Sequence, residues 1–191
     1  MIVAEKTNKT KFFMGLFSCG ISALITNLVL GSDPTSSNLF WIAPGLIFGL
    51  ALIIPNLSDV NGLKWKIISL ISFPLVMWAV WMLNLVFANS IGNAVSDLCG
   101  LTTGIAFIGI SSALIAFGAI NFFFQRKIKL LNYCIVALCG GAAFITINIL
   151  YLTNGEGMVN HFDKLIYAWQ ILVGTGISLS FKKENLEVFI A

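Results

Sequence analysis

The sequence predicts an all-α membrane protein: one integral domain (residues 1–191) folded as a polytopic helical bundle of six transmembrane helices. Three observations predict it. First, 58% of the 191 residues are hydrophobic and only 10% are charged, where a soluble domain carries about 25% charged residues. Such a chain cannot cover a water-facing surface with polar groups, so lipid is the solvent for most of it. Second, the apolar residues gather into six runs, at 12–30, 39–55, 64–88, 98–124, 130–152 and 162–181. Third, the basic residues fall between these runs on alternate sides.

A helix needs about 20 apolar residues to cross the hydrocarbon, and five of the runs meet that length. The first begins with "KTKFFMGLFSCGISALITNLVLG", whose basic start imitates a secretion signal. Its apolar run continues from Phe12 to Leu30, whereas a signal core spans roughly 7–15 residues, so it is expected to stay as the first span. The second run is shorter, holds Pro44–Gly45 and ends at Pro55. It reads as a short helix, a kinked helix or a re-entrant hairpin. The third carries Pro74, a candidate kink. None alternates strictly in the manner of barrel strands, and in lipid only helices or closed barrels satisfy the backbone.

Charge decides the second run. With six crossings and a cytoplasmic N-terminus, the inner side receives Lys6, Lys9, Lys11, Lys64, Lys66, Arg126, Lys127, Lys129, Lys182 and Lys183, which is ten of the eleven basic residues. Only Lys164 falls elsewhere. The outer loops "GSDPTSSN", "ANSIGNAVSD" and "TNGEGMVNHFD" contain no Lys or Arg. Basic residues concentrate in cytoplasmic loops, so six crossings are expected, both termini inside, with "QRKIK" at residues 125–129 as an inner turn. The compact loops and lysine distribution suit a bacterial inner membrane.

Small residues mark where helices can approach closely. Ser18 and Ser22 do so in the first span, Gly45 and Gly49 in the second, and Gly100 and Gly104 in the fourth. These faces serve packing within the bundle or contact with a second copy. An echo between "GLFSCGIS" at Gly15 and "GIAFIGIS" at Gly104 hints at two three-span halves of opposite orientation, as in inverted-repeat transporters.

No charge sits near the middle of a run, which argues against a proton-coupled antiporter, a voltage sensor or a pump with a buried carboxylate. Neutral polar residues remain. Asn27, Asn84 and Asn148 each lie near the outer ends of the first, third and fifth runs, at a shared depth, and Gln170 lies deeper in the sixth. Unpaired amides in lipid are costly, so these four are expected either to pair between helices or to line a polar pocket. Trp78 and Trp81 stand one turn apart with Asn84 a turn further, and Trp169 adjoins Gln170. Indoles in such a stripe pack a core or line a ligand cavity.

Enzymatic readings find no support. The GxSG motif of rhomboid-type proteases and HExxH are both absent. Glu156, His161 and Asp163 share one loop without a second His or Cys in reach, so no metal and no cofactor are expected. Cys19, Cys99, Cys134 and Cys139 form no CxxC pair and read as small core residues. The net charge of +3 is dispersed at the edges of apolar runs, which excludes nucleic acid as a partner. In size and near-absence of loops the chain resembles the substrate-binding subunits of energy-coupling-factor vitamin transporters, which implies a binding role; no shared motif carries the likeness. The expected function is therefore a substrate-binding or translocating transport-type subunit for a neutral or weakly polar small molecule. The alternatives are a structural subunit of a larger membrane complex, or an oligomeric pore built around Gly100 and Gly104. Expected partners are the lipid bilayer and, for the alternatives, other membrane subunits or further copies of the chain.

Overall fold

A computed structural model of the chain describes residues 2–30, 38–60, 62–124, 129–152 and 162–183. Every element among them is helical: α1 (Ile2–Leu30), α2 (Ala43–Ile53), α3 (Leu63–Phe87), α4 (Asn93–Cys99), α5 (Leu101–Phe124), α6 (Leu130–Leu152) and α7 (Phe162–Lys183). Tight 3-10 turns flank α2 at Asn38–Trp41 and Ile54–Asp59, and a π turn over Ala88–Gly92 joins α3 to α4. The expected inner turn at Arg126 and Lys127, and the loop holding Glu156 and His161, lie outside the described residues.

Among the described residues, four stretches are long and apolar enough to cross a membrane: Thr10–Leu30, Leu63–Cys99, Leu101–Phe124 and Leu130–Leu150. The other two runs differ for local reasons. Pro44 starts α2, where a missing N–H costs nothing, and the helix tightens into a 3-10 turn at Ile54–Pro55, so the apolar stretch Ala43–Ser58 stays short. α7 has 22 residues but commits Gln170, Ser178 and Ser180 to its buried faces. The fourth run is not one helix. Gly100 adopts φ +90°, a region open to glycine at little cost. Its N–H closes α4 on the Ser96 carbonyl at 2.9 Å, while its own carbonyl accepts from Thr103 and Gly104 to start α5. Gly100 therefore serves a backbone turn; an added Cβ would meet nothing within 4 Å.

Six helices close into a ring in the order α1, α2, α3, α5, α6, α7, with α7 packed back on α1. Neighbours run antiparallel, as the short connections require. On α2, Gly45 faces Trp78 of α3 and Gly49 faces Pro74, each so closely that a Cβ would come within 2.7 Å of backbone. Gly109 of α5 and Gly140 of α6 meet backbone to backbone, and further along the same pair Phe117 meets Tyr133 with ring centroids 5.0 Å apart. Gly15 and Cys19 of α1 lie on Ser178 and Gly174 of α7. Gly104 lies against Ser96 of α4. Without a hydrophobic force between helices in lipid, such approaches supply the cohesion by dispersion.

The core fills the ring. Phe48, Phe73, Met77, Ala113, Phe117, Val136, Trp169 and Val173 belong to one buried cluster. Large apolar side chains such as Phe17, Leu28, Phe122 and Leu138 are exposed, as lipid-facing groups are. Cys19 and Cys139 pack against Gly174 and Gly176; Cys99 and Cys134 are exposed rather than core, because the faces they occupy point away from the ring.

Candidate functional site

At the end of the ring where α1 and α3 finish and α2 and α7 begin, three helices enclose a pocket. Pro44, Gly45 and Phe48 come from α2, Met77, Val80, Trp81 and Asn84 from α3, and Ile166, Trp169 and Gln170 from α7. The non-atom space is about 270 Å³, including the part open to the outside, and the centre of a water-sized sphere can roam about 10 Å³ of it, room for about one water. None of the lining residues is ionisable. The pocket can bind and orient a molecule; it holds no acid, base or nucleophile.

Its polar atoms divide into two kinds. Gln170, 1% exposed, is fully engaged. Its Oε1 accepts from Ser22 Oγ at 3.1 Å, and its Nε2 donates to Thr26 Oγ1 and to the Pro44 carbonyl, both at 3.3 Å. One amide thus ties α7 to α1 and α2. Asn84 Oδ1 and Trp169 Nε1 are the opposite case: both residues are 7% exposed, and neither atom has a hydrogen-bond partner among the described residues. Trp169 is fixed by its ring, 5.2 Å from Phe48 centroid to centroid. Leaving a buried polar group unpaired costs about 1–3 kcal/mol, so a fold that keeps two of opposite sign in one pocket holds them against a steady cost.

A strap covers this end. The 3-10 turn Asn38–Trp41 is held by two indoles of α3: Trp78 Nε1 donates to the Trp41 carbonyl at 3.0 Å, and Trp81 Nε1 to the Phe40 carbonyl at 3.1 Å. Phe40 is buried with Leu30 and Ile166, and Trp81 and Leu85 pack on them. Trp81 therefore touches both the strap and the pocket.

Of the candidate residues chosen from sequence, the structure brings together Trp81, Asn84, Trp169 and Gln170. Trp78 tethers the strap without lining the pocket. Asn27 is half-buried on α1 and Asn148 buried on α6, both outside the lining; Asn148 Oδ1 is also unpaired. Among the packing candidates, Ser22, Gly45, Gly49 and Gly104 lie at close contacts, and Ser18 is half-buried beside them. Sequence reasoning missed Thr26, which follows Ser22 by one turn and shares its face. It also missed Asn121, buried in α5 with both amide atoms unpaired, although it carried the same signal as Asn27: an amide within an apolar helix. Other buried hydroxyls bond their own helix and are spent there, as Ser112 does to the Ile108 carbonyl at 2.7 Å and Ser180 to that of Gly176 at 2.9 Å. No group of His, Cys, Asp or Glu able to hold a metal occurs among the described residues. Comparison with family models, curated proteins and solved structures found no match.

Proposed function

We propose that this chain is a substrate-binding or translocating membrane protein for a neutral or weakly polar small molecule, and that the pocket between α2, α3 and α7 is its binding site. The observation that carries the reading is the unpaired Asn84 Oδ1 and Trp169 Nε1 in one uncharged pocket. In this reading the chain crosses the membrane six times, with both termini cytoplasmic and the pocket near the outer face. The alternation of basic loops with loops that hold no Lys or Arg supports that topology, and so does the antiparallel ring that returns α7 to α1. A bacterial inner membrane is the proposed location, and no enzymatic activity is proposed. A pore built on Gly100 and Gly104 finds less support, since Gly104 is already occupied by Ser96 of the same chain.

Cysteine labelling in intact cells tests this, with the native cysteines replaced by alanine. A membrane-impermeant maleimide should modify Glu156→Cys from outside, and Lys127→Cys only after the membrane is opened. Labelling of position 127 in intact cells with position 156 protected would overturn the proposed topology and, with it, the outward pocket.

A further inference from the structure

The pocket specifies more than neutrality. We infer that its ligand is an uncharged molecule whose planar head carries both a hydrogen-bond donor and an acceptor: a carboxamide, lactam or urea. This rests on the pocket being a binding site, and it names what that site selects.

The argument is one of elimination around the lining. Gln170 is closed by Ser22, Thr26 and Pro44. The Trp81 indole is spent on the Phe40 carbonyl. Two buried lining atoms remain unpaired, Asn84 Oδ1 and Trp169 Nε1. An amide oxygen only accepts and an indole N–H only donates. A ligand must therefore bring one donor to α3 and one acceptor to α7. An ether, ketone or ester leaves Asn84 unmet, a hydrocarbon leaves both unmet, and a carboxylate brings a charge that no lining group offsets. The rest of the wall is apolar, with Phe48, Met77, Val80 and Ile166. The enclosed part admits about one water, so a thin planar head enters with less displacement of the walls than a tetrahedral one. Its body extends into the open part of the pocket.

Four probes with one shared ring and different heads test this on the full chain in lipid nanodiscs, read by thermal unfolding: benzamide, acetophenone, benzyl alcohol and benzoate. Benzamide should raise the midpoint saturably. Acetophenone and benzoate should bind at least about tenfold more weakly, the worth of one neutral hydrogen bond. Asn84→Leu and Trp169→Phe should each weaken benzamide by about tenfold. Ser111→Ala, whose hydroxyl bonds only the Ile108 carbonyl of its own helix, should change nothing. Three outcomes overturn the inference. Equal affinity for acetophenone, surviving Asn84→Leu, removes the donor requirement; if Phe48→Ala abolishes that binding, the pocket itself still stands. Benzyl alcohol binding as tightly as benzamide replaces the amide class with a hydroxyl. No shift with any probe means that the two atoms meet water only, and outward labelling at position 156 then decides the wider reading separately.

Discussion

Two faces of α7 carry polar groups into the bundle, and they are treated differently. On the face toward α1, Gln170 finds three partners and Ser178 sits against Gly15. On the face toward the pocket, Trp169 keeps an N–H that nothing among the described residues accepts, and Asn84 of the same lining keeps an oxygen that nothing among them donates to. The residues are adjacent in sequence and equally out of water. A satisfied amide joins helices and is structural; an unsatisfied pair in a pocket stabilises nothing and is explained by what it receives. Neither polarity nor pairing alone separates the two, since Asn121 and Asn148 keep unpaired atoms away from the pocket; an unpaired atom in the pocket lining does.

The largest effects should come from the close helix contacts that frame both faces. Gly45→Ala places a Cβ against the Trp78 and Met77 backbone, which cannot yield as a side chain can. It should destabilise by about 3 kcal/mol, seen as a lower unfolding midpoint and loss of any pocket ligand. Gly118→Ala meets nothing within 4 Å and should be neutral or stabilising by up to about 1 kcal/mol. If both glycines tolerate alanine equally, the α2–α3 wall of the pocket is not where it is drawn here.

The next effect sharpens the contrast directly. Gln170→Leu strands Ser22, Thr26 and the Pro44 carbonyl. At about 0.6 kcal/mol for each interhelical bond, it should cost about 2 kcal/mol in stability, measured by unfolding in detergent. Removing the strap tethers is gentler. Trp78→Phe with Trp81→Phe deletes two N–H donors while keeping aromatic bulk, and should lower stability by about 1 kcal/mol. The same double change should speed maleimide reaction at Asn84→Cys, because the Phe40 turn is released. A slower or unchanged rate would show that the strap does not cover the pocket.

Much of the architecture was legible in the residues. Composition and run length gave helices long and apolar enough to cross a membrane, and Gly45 and Gly49 announced a close helix contact because only small side chains permit one. Gly100 misled, since spacing cannot distinguish a glycine that packs from one that turns the chain at positive φ. The second and sixth runs were harder because length and apolarity weaken there: Pro55 tightens the end of α2, and α7 trades apolar residues for Gln170 and Ser178. For the site, sequence pointed to the amides but not to the direction in which each one turns. Of Asn27, Asn84 and Asn148, expected at one level, only Asn84 lines the pocket. A helix that is apolar all round offers no polar stripe to show which way a lone amide turns. The indoles were found for a related reason: their size and spacing marked α3 as special, though not that Trp78 holds a strap while Trp81 also lines the site.

The most direct test compares two leucine substitutions in one detergent without ligand. Gln170→Leu should lower the unfolding midpoint. Asn84→Leu should leave it unchanged or raise it, by up to about 1 kcal/mol, because it removes a buried oxygen that bonds to nothing. A fall for Asn84→Leu as large as that for Gln170→Leu would mean that Asn84 is a paired, structural amide and that the pocket was not built to receive anything.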